Sequence, residues 1–116
     1  MVSGFMDNVK GDSYYLKRLL TDLQFLIGHT QRKTQTEIES NPLLVDSIMF
    51  RMIQISENVD KLTLAFKDRY EIPWQAMKGM RNRIVHDYGV VDMKIVYDTV
   101  INDIPKIYER LSFITI

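Results

Sequence analysis

"SNPLLVDSIMFRMIQISENVDKLTLAF", residues 40–66, carries the pattern that decides the fold. Val45, Ile48, Met52, Ile55, Val59, Leu62 and Phe66 recur at alternating spacings of three and four, which lines them up on one face of a helix and on no face of a strand. Pro42 suits the first helical position, where its missing amide proton has no partner to lose. Ser40 or Asn41 stands where a side chain can accept bonds from the open amides of the first turn. The pattern predicts one helix of about 25 residues, roughly 37 Å long. Leu44, Met49 and Ile53 widen its apolar surface beyond one stripe, so it meets neighbours on two sides, as ordinary core or against a second copy of the protein.

Helical signals extend outward in both directions. Before this segment, "SYYLKRLLTDLQFLIGHTQ" (residues 13–31) sets Leu16, Leu19, Leu20, Leu23, Leu26 and Ile27 on one face, with Asp12 or Ser13 as cap and Asp7 as the earliest start. "TQTE" (residues 34–37) has the spacing of a capping box between Thr34 and Glu37, enough for a short extra helical turn. After it, "KDRYEIP" (residues 67–73) reads as a polar loop. A third helix is expected over "PWQAMKGMRNRIVHDY" (residues 73–88), stopped by Gly89, which tolerates the left-handed backbone beyond a helix end. Asp92 caps a fourth helix whose core stripe is Ile95 or Val96, Val100, Ile104, Ile107 and Leu111. Pro105 lies inside that stripe and should bend it, because its ring displaces the bond to the carbonyl of Ile101. The expected fold is all-α: an up-and-down four-helix bundle with one extra turn, a single domain over residues 1–116.

Composition removes many functions. Lys+Arg and Asp+Glu are equal at 15 each, so no overall field draws the chain to DNA or to an anionic membrane, and neither is expected as a partner. There is no cysteine, which excludes disulfides and thiolate metal sites. No apolar run approaches the ~20 residues that span a bilayer, and "MVSGFMDNVKGD" lacks the apolar stretch of a signal peptide; a soluble cytoplasmic protein is expected. His29 and His86 are the only histidines. Neither belongs to a Glu-x-x-His pair and no Gly-rich phosphate loop exists, so no metal and no cofactor is expected. His29, near a helix end, reads as an exposed or capping residue.

One segment stands apart. Lys78, Arg81 and Arg83 concentrate positive charge around His86 in an otherwise neutral chain. An arginine fork suits a phosphate, above all the extra charge on a pentacoordinate phosphorus, and a histidine carries protons near neutral pH. Together, and without a metal, they supply what attack of an RNA 2′-hydroxyl on its own phosphate requires. The structural alternative pairs Arg83 with Asp87 at i, i+4 and leaves His86 at a helix C-terminus.

"IPWQAMKGMRNRIVHDYGVVD" (residues 72–92) closely resembles the signature of the HepT-like toxins of the HEPN superfamily, Arg-Asn-x-x-x-His-x-Tyr, matched here by Arg81, Asn82, His86 and Tyr88. Pro73-Trp74, Val91-Asp92 and Asp103-Ile104-Pro105 extend the likeness. At Ser56-Glu57-Asn58, where relatives often carry Gly-Glu-Ala, this chain keeps the glutamate and not the small residues. The resemblance implies a dimeric, metal-independent endoribonuclease, the toxin of a toxin–antitoxin pair. Its antitoxin would be an MntA-like nucleotidyltransferase that transfers AMP onto the motif tyrosine. Arg81 and His86 are then catalytic, Asn82 and Arg83 supporting, and Tyr88 the modification site. A non-catalytic helical module partnering a nucleotidyltransferase is the alternative.

Helical geometry adds a constraint. At about 100° per residue, Arg81 and His86 lie roughly 140° apart on one helix, whereas Arg81 and Tyr88 nearly eclipse. Either the helix ends near Val85, letting His86 swing round, or two protomers share a cleft; the shared cleft is the favoured expectation.

Overall fold

The structure, a computed structural model, describes residues 10–87 and 90–114, with the backbone path alone at residues 83–87. It is mostly helical. Helix α1 runs Asp12–Thr30 and buries Leu16, Leu19, Leu23 and Leu26. Its N-cap is Gly11, so neither expected cap acts, and the earlier start at Asp7 lies outside the described residues. Asp12 is used elsewhere: its carboxylate accepts from the amide and the hydroxyl of Thr63, each at 2.8 Å. The short turn α2 (Gln35–Glu39) carries the expected capping box. The Thr34 hydroxyl accepts from the Glu37 amide at 3.1 Å, and the Glu37 carboxylate accepts from the Thr34 amide at 2.8 Å. That backbone bond holds the Glu37 carboxyl below its ordinary value.

Helix α3 (Pro42–Lys61) starts as its sequence requires, with Pro42 in the first turn and the Asn41 side-chain Oδ1 accepting from the Leu44 amide at 3.1 Å. It is 20 residues long, shorter than the pattern predicts. The chain opens at Leu62 and restarts as α4 (Leu64–Arg69), capped by Thr63, whose hydroxyl accepts from the Phe66 amide at 3.2 Å. A threonine hydroxyl offers the backbone this alternative to the helical ladder, and Asp12 satisfies the amide that the break exposes. Leu62 and Phe66 remain buried, so the hydrophobic seam survives the break that its periodicity conceals. The extra width also resolves: Leu44 and Met49 pack against the core, while Leu43 and Phe50 face outward.

The third expected helix is the main correction. In its place stand two short helices, α5 (Trp74–Lys78) and α6 (Met80–Ile84), and then strand β1 (Val85–Asp87). Strand β1 pairs antiparallel with β2 (Val90–Val91), Val85 opposite Val91 and Asp87 opposite Val90, with an irregular register between them. The fold is mostly helical, in line with the all-α expectation, and carries one two-stranded ribbon among the described residues. Valines at residues 85, 90 and 91 favour the extended chain, where β-branched side chains keep their preferred rotamers.

Asp92 caps the next helix, α7 (Met93–Asp98), its carboxylate accepting from the amides of Lys94 and Ile95 at 3.0 and 3.3 Å. Pro105 does not simply bend the helix. The chain inserts a π-turn at Thr99–Asp103, in which the Ile104 amide reaches back to the carbonyl of Thr99, and Pro105 falls in the first turn of α8 (Ile104–Ser112). There its missing donor costs nothing. Val96, Val100, Ile104, Ile107 and Leu111 stay buried through the change of pitch. Helix α1 packs on α3 and α8, and α3 on α5 and α6, which places the short helices against the middle of the core.

Candidate functional site

Gly79 separates α5 from α6. Its amide donates to the Gln75 carbonyl at 2.9 Å, and a Cβ there would lie 3.3 Å from that carbonyl oxygen, closer than ordinary packing allows. From α3, the hydroxyl of Ser56, itself buried, donates to the carbonyl of Lys78 at 2.6 Å. The juncture before α6 is thus tied to the longest helix of the fold. Met77 and Met80 are buried on either side of it and leave Arg81 and Asn82 facing outward.

Arg81 and Asn82 line an open cavity of about 330 Å³ together with Ser56, Asp60, Gln75 and Lys78. Lys78 pairs with Asp60 at 3.1 Å, and both side chains are more than half exposed, so water screens the pair and it contributes ~0–1 kcal/mol. Arg81 has no ion-pair or hydrogen-bond partner among the described residues. Its guanidinium is open to an anion entering the cavity, and its fork matches two oxygens of a phosphate.

His86 is on β1, beyond the end of α6 at Ile84. This removes the 140° offset between Arg81 and His86, which holds only for one continuous helix. Of the two ways out, the structure takes the early helix end, and the offset no longer argues for a cleft shared by two protomers. The expected near-eclipse of Arg81 with Tyr88 lies outside the described residues. The structural alternative assumed one helix running through Asp87, whereas His86 and Asp87 are on β1. Helix α6 and strand β1 are in contact, so Arg81 and His86 belong to adjoining elements. The side chains of Arg83 and His86, and Tyr88 altogether, lie outside the described residues.

Ser56, Asp60 and Gln75 escaped the sequence reading. The first two stand at i, i+4 on α3, a spacing that puts them on one side of the helix beside the apolar stripe. His29 is exposed, as expected, with its ring 4.3 Å from that of Phe25. Also unforeseen is Asp22, buried on α1. Its Oδ1 accepts from Arg51 at 2.9 Å while its Oδ2 has no partner among the described residues. Burial pushes this carboxyl above its ordinary value, against the opposing pull of Arg51. Among the described residues no group of three or more His, Asp or Glu side chains is placed to hold a metal ion.

A family model described as "Ribonuclease HepT-like" matches residues 19–114. A protein of Caldanaerobacter subterraneus subsp. tengcongensis, provisionally named an RNase, is 26% identical over 99 residues, 84% of this chain and 88% of that one. A Methanocaldococcus jannaschii protein named for both gamma-glutamylcyclotransferase and a provisional RNase is 29% identical over 98 residues, which cover 84% of this chain and 44% of the longer one. A Thermococcus cleftensis protein named probable ribonuclease HepT is 43% identical over 44 residues, 35% of this chain and 40% of that one. No solved structure matches the chain significantly.

Proposed function

The chain belongs to the HepT-like ribonuclease family, and on that premise we propose that it cuts RNA without a metal ion, as the toxin of a toxin–antitoxin pair. The observation that supports the reading is an exposed Arg81 on α6, unpaired among the described residues, directly before the ribbon that bears His86. In the proposed step His86 takes the proton of a 2′-hydroxyl, the 2′-oxygen bonds to the adjacent phosphorus, and Arg81 faces the negative oxygens of the phosphorane. The bond from phosphorus to the 5′-oxygen then breaks, and that oxygen receives a proton from the His86 imidazolium. The products are a 2′,3′-cyclic phosphate and a 5′-hydroxyl. Asn82, exposed in the same cavity, and Arg83 support the phosphate.

The active form is a homodimer. Its control is an MntA-like nucleotidyltransferase that joins AMP to the Tyr88 hydroxyl with release of pyrophosphate. The added phosphate then competes for the cation that the substrate needs. The partner is RNA; among the described residues no helix is long and apolar enough to cross a bilayer. The test is cleavage of single-stranded RNA in EDTA by protein freed of its nucleotidyltransferase. Fragments ending in 2′,3′-cyclic phosphate are expected. Loss of cleavage on chelation, or 3′-hydroxyl ends, overturns the mechanism, and a purified protein that cuts no RNA leaves the non-catalytic partner module in its place.

A further inference from the structure

We propose that a groove leading away from Arg81 holds one base of the RNA strand near the scissile phosphate, with the indole of Trp74 as its stacking face. The proposal rests on the ribonuclease reading and adds to it a subsite for the substrate. The cavity at Arg81 shares Gln75 and Lys78 with a second one of about 450 Å³, so the two form a continuous depression along α5. Its far end is lined by Leu64, Lys67, Asp68, Ile72 and Trp74. A volume of this order suits one group of small-molecule size.

Three features fit that end to a base. The indole is held in place before any ligand arrives: Nε1 donates to the carbonyls of Lys67 at 2.9 Å and Tyr70 at 3.2 Å, and the ring lies 6.1 Å from that of Phe66. A fixed aromatic plane offers stacking without the entropy of ordering a side chain. Leu64, 72% exposed on the lip, supplies an apolar wall with no packing role inside the fold. Lys67 and Lys78 then flank the path with positive charge, continuing from Arg81 and outnumbering Asp60 and Asp68 along it. Trp74 and Arg81 are seven residues apart on the two short helices that meet at Gly79, a span on the order of 10 Å. That is no more than about three nucleotides at ~3.4 Å each. Only an unpaired strand presents a free base face at that distance, so the groove selects single-stranded RNA.

Trp74 is the single tryptophan of the chain, so its emission reports the subsite directly. A single-stranded 2′-O-methyl RNA oligonucleotide, which lacks the attacking hydroxyl, should quench that emission saturably. Scanning one abasic position along the strand should abolish the quench at a single position within about three nucleotides of the cut. Leu64→Glu should raise KM for RNA about tenfold and leave kcat within twofold. Saturable, position-dependent quenching supports the subsite even in a protein that cuts nothing, in which case only the catalytic reading fails. Cleavage with Trp74 emission unchanged by the oligonucleotide, or with KM unaltered in Leu64→Glu, overturns the subsite and spares the catalytic reading.

Discussion

Replacing Ser56 with alanine removes one oxygen and should be felt more in the chemistry than in the fold. The Ser56 side chain is 8% exposed and its bond to the Lys78 carbonyl is 2.6 Å, short for a hydroxyl donor. Deleting such a bond costs about 1 kcal/mol net, and up to about 2 if the carbonyl finds no water. For a domain of this size that lowers Tm by about 4–8 °C. Lys78 stands three residues before Arg81, and Gly79 between them imposes no rotamer of its own, so the start of α6 depends on this anchor. A displacement of about half an ångström at the guanidinium should lower kcat roughly tenfold, since a full ångström costs about a hundredfold. KM should stay within twofold, because Arg81 acts mainly on the charge of the transition state. Thermal melting by circular dichroism and single-stranded RNA cleavage kinetics measure the two effects. A fallen Tm with kcat untouched would show that Ser56 braces the fold and does not position Arg81.

Arg51→Met should cost about 2–3 kcal/mol at neutral pH, because it strands the buried Asp22 carboxylate, and less in acid, where Asp22 is protonated; urea melts at several pH values give the trend. A carboxyl raised by burial stabilises the fold fully below its unfolded pKa, and that stability is lost as pH rises through its folded pKa. Asp22→Asn should therefore gain on wild type as pH climbs above the ordinary carboxylate range, in the same melts. Asp92→Ala should lower stability by about 1 kcal/mol through loss of the α7 cap, read as a Tm drop of about 4 °C. With ATP and the cognate nucleotidyltransferase, wild type should gain one AMP located by mass spectrometry at Tyr88 and lose cleavage, whereas Tyr88→Phe should gain none and remain active.

The helical character was legible because apolar spacing reports burial directly. All of Ile48, Met52, Ile55 and Val59 lie inside, and the caps at Thr34, Asn41 and Asp92 act as their side chains dictate. The breaks were not legible. Leu62 and Phe66 stay buried across the opening at Thr63, and the Thr63 amide exposed there donates to Asp12, 51 residues away. The π-turn before Pro105 likewise preserves the buried stripe that a sequence pattern detects. At the site, the order Arg81-Asn82, His86, Tyr88 marked the segment, yet the continuous helix drawn through it was wrong. The preference of Val85, Val90 and Val91 for extended chain went unweighed. Ser56 and Asp60 were hidden as site residues for another reason: one bonds the distant backbone carbonyl of Lys78 and the other the Lys78 ammonium, and neither contact leaves a local period.

The central claim, that Arg81 and His86 together cut RNA, is tested most directly by single-turnover cleavage in EDTA with Arg81→Ala and His86→Ala. Arg81 is exposed, and circular dichroism checks that each variant keeps its native helix. The account predicts that either substitution lowers the rate constant by at least about a hundredfold, the lower end of what a positioned proton carrier contributes. Cleavage at the wild-type rate by either folded variant would contradict it.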